Sequence, residues 1–276
     1  MSISSVSTLA APGVAALLDR LFAEADRNDP PALARAREAT ARLGRPPGDR
    51  ERAELMRDIY MPVSPEVGRL LYLLTRGRGA HLIVEFGTSY GISGIHLAAA
   101  LRDSGRGRLV TTEFDAIKAQ RARENFHAAG LADLIEIRLG DAFETLASLE
   151  QPIDVLLLDG WKPLYLPMLK FLEPKLASGA LIVADDLAVA PDALAAYGAT
   201  CAKRRTAMCR SRFRSATGSS CRCVARERGR SGEATGWGLR EVRSGHRAHG
   251  RLTPFGQSRP RRRGLAVLRL TGRQTG

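Results

Sequence analysis

The stretch "LLLDGWKPLYLP", Leu156 to Pro167, sets an acid, an indole and an amine at the lip of an apolar run. A buried strand that ends in Asp159, Trp161 and Lys162 can aim a carboxylate and an amine out of the core at a ligand. A second run, "ALIVADD", ends in Asp185 and Asp186. Carboxylates at neighbouring strand ends suit a hard divalent cation such as Mg²⁺, which takes oxygen ligands and keeps several waters. No Cys or His cluster before residue 199 suggests zinc. The plainer alternatives are a helix cap for Asp159, a solvated amine for Lys162 and a packing wedge for Trp161.

Upstream, "VEFGTSYGISG" runs from an apolar strand into a glycine-rich turn and a helix start. Gly87 and Gly91 permit a tight turn, Ser93 can donate to a ligand, and the helix presents unpaired N–H groups. The next strand, "GRLVTTEF", ends in Glu113, where a carboxylate can accept from ribose hydroxyls. The glycine spacing misses G-x-G-x-x-G, and Glu85 would repel a phosphate, so a pyrophosphate cradle is disfavoured. S-adenosylmethionine fits instead, with a ribose, a sulfonium and an amino group but no phosphate. Asp141 and Ala142, after the third strand, lie near the place of an adenine whose ribose is on Glu113; Asp141 can equally cap the following helix. Met61 and Val63 either flank the cofactor or pack beneath it.

These motifs need a frame. Five short apolar runs, each followed by a helical pattern, predict a doubly wound, Rossmann-like α/β fold: a mostly parallel sheet with helices on both faces. Its ligands belong beyond the carboxyl ends of the strands. Residues 1–60 read as a helical amino-terminal extension of three helices, with Asp29, Pro30 and Pro31 and then Gly44 to Gly48 as breaks. Residues 61–198 form the predicted cofactor-binding domain, and 199–276 a basic segment expected to be disordered.

The formal charge of +13 belongs to that last segment. It holds 20 of the 42 Lys and Arg and 3 of the 29 Asp and Glu, leaving 22 basic against 26 acidic residues before it. All four cysteines, Cys201, Cys209, Cys221 and Cys223, lie there too. The whole-chain charge is therefore weak evidence for nucleic acid, which is not the expected partner. No apolar run approaches the roughly 20 residues of a membrane span, and no secretory leader is legible, so a cytoplasmic location is expected.

Taken together, "MPVSPEVGRLL", "VEFGTSYGIS", "LLLDGWKPLYLP" and "ALIVADD" resemble the cation-dependent O-methyltransferases of the catechol and caffeoyl-CoA type, over about Met61 to Leu187. The resemblance implies that Glu85, Gly87, Ser93, Glu113 and Ala142 hold S-adenosylmethionine, with Ser89 and Asp141 nearby. It implies that Asp159, Asp185 and Asp186 coordinate the cation and that Lys162 is the general base. The expected acceptor is a small catechol-like or phenolic hydroxyl compound, and pairing into a homodimer is left open. The family usually carries Asp-Asn after the fifth strand; this chain has Asp185-Asp186.

Two other classes compete. "GTSYG" satisfies G-x-S-x-G in a strand-to-helix context, but a serine hydrolase needs an acid and then a histidine downstream. His127 precedes the candidate acids, and His246 and His249 fall in the basic segment. The arginine-rich segment could attract phosphates, yet it has few aromatics and no repeating module. Its composition instead suggests an out-of-frame ending. Across Ala207 to Val224, joining the third base of each codon to the first two of the next allows "YVSVAFPLGDGLELSLR". That string alternates around Gly-Asp-Gly as a hairpin would. The chain as written is expected to lack such a closing hairpin.

Overall fold

The computed structural model describes residues 7–188, 190–203, 208–214 and 220–226. A 31-residue helix, α1 (Pro12–Arg42), opens the fold and a short α2 (Asp49–Leu55) follows. Three helices separated by breaks were expected over residues 1–60, and this is corrected: α1 passes straight through Pro30 and Pro31. Two prolines remove two ladder hydrogen bonds. Buried Val14, Leu17, Leu18, Leu21 and Ala25 before them, and Ala32 and Ala36 after them, lie on one face of the helix; the first part packs into the main core and the second against Ile59, and this tertiary packing holds the helix together.

Helix α3 (Pro65–Arg78) has its ends written in the sequence. The Ser64 hydroxyl accepts from the Val67 amide, Pro65 opens the helix, and Gly79 closes it at φ +63°. Then come β1 (Leu82–Phe86), α4 (Ile92–Ser104), β2 (Arg108–Glu113), α5 (Ala116–Ala128), β3 (Ile135–Leu139) and the single turn α6 (Ala142–Thr145). β4 (Ile153–Leu158), α7 (Tyr165–Leu172), β5 (Leu176–Ala184) and α8 (Ala195–Lys203) complete the alternation.

The sheet order is β3-β2-β1-β4-β5-β7-β6, where β6 is Met208–Arg214 and β7 is Ser220–Arg226. β1 to β5 are parallel, while β7 runs antiparallel to both β5 and β6. Every residue of β1 and β4 is buried, as central strands covered on both faces must be. One apolar cluster lies on the side of α1, α3, α4 and α5, the other on the side of α7 and α8.

The boundary expected at residue 198 falls inside α8. A closing hairpin was expected to be missing; the backbone of β7 and β6 instead pairs along β5. The interval 215–219 between those strands coincides with the place of Gly-Asp-Gly in the shifted reading. The rest of the basic segment lies outside the described residues. Among the described residues no helix is long and apolar enough to cross a membrane.

Candidate active site

Strand order reverses between β1 and β4, and the crevice at that reversal is where ligands of doubly wound sheets bind. A cavity of about 360 Å³ opens there, over the carboxyl ends of β1, β2, β4 and β5. Val63, Gly87, Ser89, Ser93, Glu113, Asp141 and Ala142 line it, as do Asp159, Lys162 and Asp186. Ten of the twelve residues assigned to cofactor, metal or base from the sequence thus line one cavity. The other two, Glu85 and Asp185, lie just beneath it.

Glu85 is completely buried, and both its oxygens are taken. Ser93 Oγ donates to Oε1 at 2.5 Å and Thr111 Oγ1 to Oε2 at 2.6 Å. Burial pushes this carboxyl up to about 7, against the two hydroxyl donors. Glu85 therefore meets the cavity through Ser93, which lines it.

Glu113 faces the cavity with its carboxylate fixed by backbone. The Ser89 amide donates to Oε2 at 2.8 Å, and the amides of Phe114 and Asp115 donate to Oε1 at 2.9 and 3.0 Å. Burial still raises its pKa. Asp141 accepts from the Phe143 amide at 2.7 Å, so it caps α6 and lines the cavity at once.

Gly87 sits at φ +103°, and a Cβ there would meet Asp159 O at 2.7 Å and Gly160 Cα at 2.9 Å. The absence of a side chain lets β1 and β4 end side by side, joined by the Asp159 amide donating to Phe86 O at 2.9 Å. Three non-glycine residues have positive φ among the described residues: Met61 (46°), Ser89 (47°) and Asp186 (54°). All three line the cavity, so the strained backbone is concentrated at one place.

At the other end of the cavity, Lys162 Nζ donates to Tyr165 Oη at 2.8 Å and lies 3.7 Å from Asp159 Oδ1 and 3.9 Å from Asp186 Oδ2. Tyr165 Oη in turn donates to Asp185 O at 3.1 Å. Burial, and then Asp185, drive the Asp159 carboxyl well above its ordinary range. Burial, and then Asp186, push Asp185 up to about 7. Asp185 Oδ1 is buried without a hydrogen-bond partner. Among the described residues, no group of three His, Cys, Asp or Glu side chains converges as a ready metal cluster.

A strap over residues 56–64 covers the cavity. Asp29 of α1 accepts from the Tyr60 and Met61 amides at 2.7 and 2.8 Å, and the Tyr60 ring stacks on Tyr90 at 3.8 Å. Arg52 of α2 stands 5.4 Å above the Trp161 ring, which lines the cavity. Sequence reasoning missed Tyr165, Tyr60 and Lys118. Tyr165 carried a signal, since it follows Lys162 by three residues at a helix start. The other two meet the site only through tertiary packing. The Ser89 hydroxyl donates to Tyr60 O at 2.7 Å and accepts from Lys118 Nζ at 3.1 Å, so neither partner is the histidine a hydrolase requires.

Sheet order and a switch-point cavity define a Rossmann-like α/β protein. A family described as a methyltransferase domain matches residues 84–187. A catechol O-methyltransferase of Mycobacterium tuberculosis is 34% identical over 178 residues, 64% of this chain and 72% of that protein. One from Niastella koreensis is 37% identical over 129 residues, 45% of this chain; the match spans only 58% of that relative's length. The O-methyltransferase TomG of Streptomyces achromogenes, solved in complex with S-adenosylmethionine, is 28% identical, with a TM-score of 0.55 over 72% of this chain and 90% of its own. The chain belongs to the class I S-adenosylmethionine-dependent O-methyltransferase family.

Proposed function

We propose that this chain transfers a methyl group from S-adenosylmethionine to a hydroxyl of a small catechol-like or phenolic acceptor, assisted by a divalent cation. The observation that carries this reading is a single cavity joining the Glu113 carboxylate and the Gly87 turn to Asp159, Lys162 and Asp186.

At the cofactor end, Glu113 offers its oxygens to ribose hydroxyls, held in place by three amides. Val63 and Met61 close the strap side, and Asp141 and Ala142 flank the adenine end. When bound, S-adenosylmethionine supplies an electrophilic methyl on a sulfonium. The protein aligns the acceptor hydroxyl with it, and such positioning accounts for a large share of a rate gain. Lys162, as the neutral amine, is the base that takes the hydroxyl proton, with its nitrogen anchored by Tyr165 and flanked by Asp159 and Asp186. Trp161 walls the acceptor side.

The donor chemistry of Asp159, Asp185 and Asp186 fits a hard cation: all oxygen, and one buried oxygen without a partner. Among the described residues the arrangement does not converge as a metal cluster, and Lys162 Nζ stands close to two of the three carboxylates. These three residues are the ones that would hold the ion. A bound divalent cation supplies Lewis acidity that lowers the pKa of a coordinated hydroxyl.

The test is a panel of vicinal diols and simple phenols with S-adenosylmethionine, with and without Mg²⁺, read by mass spectrometry. Lys162→Met is expected to lower kcat by roughly 10²- to 10⁴-fold while leaving S-adenosylmethionine affinity unchanged. Full activity in that variant would remove Lys162 from the chemistry.

A further inference from the structure

We infer that Lys118 is a positioning residue for the cofactor, holding the Ser89 turn so that Glu113 presents a correctly aimed carboxylate to the ribose. This inference rests on the proposed S-adenosylmethionine site.

Lys118 lies in the first turn of α5 and is 5% exposed, although it lines the cavity. A buried ammonium is costly unless it is paired and hydrogen-bonded. Its partners are all parts of the cofactor end. Nζ donates to Ser89 Oγ at 3.1 Å and stands 5.8 Å from the Tyr90 ring centroid. Burial depresses its pKa, and Glu113, Asp115, Asp29 and Asp58 oppose that depression.

Ser89 is the joint through which the ammonium acts. At φ +47° it is strained, its hydroxyl ties to the strap at Tyr60 O, and its amide fixes Glu113 Oε2. Removing the ammonium leaves the Ser89 hydroxyl held by Tyr60 O alone and takes away a positive charge that acts on Glu113. A lysine placed only to anchor the strap would have no need of Ser89. Arg57, from the same strap, already meets Asp115 at 2.9 Å.

The test is calorimetry of the full chain with S-adenosylmethionine and, separately, with adenosine, which carries the ribose but neither sulfonium nor amino acid. Lys118→Met is expected to weaken both ligands by roughly 10- to 100-fold, the range for losing a hydrogen bond to a charged group. KM for S-adenosylmethionine should rise with kcat nearly unchanged, and Lys118→Arg should recover part of the affinity. In a Glu113→Gln background, Lys118→Met should weaken adenosine little further, since both act through one carboxylate. Wild-type affinity in Lys118→Met, or losses that add fully with Glu113→Gln, would overturn the inference. If Lys118→Met does not fold, Ser89→Ala carries the test. It removes the hydroxyl that Lys118 holds, leaves the Ser89 amide, and must weaken adenosine; unchanged affinity overturns the inference. A wild-type chain that binds neither ligand would remove the proposed function itself and this inference with it.

Discussion

Gly87→Ala should damage folding and chemistry together, because Gly87 is the point where the cofactor turn touches the acidic strand end. A Cβ there meets Asp159 O at 2.7 Å, Asp159 C at 2.9 Å and Gly160 Cα at 2.9 Å, all backbone atoms that cannot swing aside. Its φ of +103° is also strained for alanine, whereas Gly105 has a similar sign (φ +66°) and open space around it. Gly105→Ala therefore reports backbone strain alone, on the order of 1–2 kcal/mol. Crowding at Gly87 adds about 1–3 kcal/mol, the usual range for overpacking. At about 2–4 °C per kcal/mol for a protein of this size, Gly87→Ala should melt roughly 2–12 °C below Gly105→Ala. Relief of the clash pushes Asp159 away from Lys162, and a misplacement of about 1 Å can cost on the order of 10²-fold in rate. Differential scanning fluorimetry and a methyl-transfer assay measure both. Equal melting temperatures with full activity in Gly87→Ala would refute the close β1–β4 contact.

His96 is buried in α4 beside Gly68 and Phe22, and burial depresses its pKa from 6.5 to about 4. The unfolded chain then binds the extra proton first. Stability is fully present above about pH 6.5 and is lost toward pH 4, by about 3 kcal/mol; His96→Gln should flatten that acid limb of the melting profile, and an unchanged limb would contradict it. Asp185 is raised from 3.8 to about 7, so its contribution is lost as pH climbs through that window. Asp185→Asn should therefore melt higher than wild type at pH 8 without metal, and should lose any stabilisation that Mg²⁺ gives wild type. An identical Mg²⁺ response in both would exclude Asp185 as a ligand. If the segment after about residue 199 is an out-of-frame ending, sequencing the gene across the codons for Tyr197 to Lys203 will show the frame change; an intact frame would refute it.

The parallel sheet and most of the residues that line the cavity were legible because local patterns encode them. Apolar runs such as "VLLLD" leave a strand no option but burial, and the polar residue that ends each run must emerge at the carboxyl edge, as Asp159 and Glu113 do. Hidden features depend on neighbours distant in sequence. Pro30 and Pro31 read as a break because the packing that holds α1 together is tertiary. Nothing nearby in sequence announces Thr111, on the adjacent strand, as a hydrogen-bond partner of Glu85. Lys118 carries no local signal; only the packing of α5 brings its nitrogen to 3.1 Å from the Ser89 hydroxyl. The hairpin along β5 was unreadable in these letters, since Arg-rich, Cys-rich strands carry no clean alternation.

The most direct test of the central claim is isothermal titration of the full chain with S-adenosylmethionine, comparing wild type with Glu113→Gln and Asp159→Asn. The account predicts one binding site in wild type, a large loss in Glu113→Gln, and near-normal cofactor affinity but no methyl transfer to a catechol in Asp159→Asn. Cofactor binding that ignores Glu113, or catechol methylation that survives loss of the Asp159 charge, would contradict it.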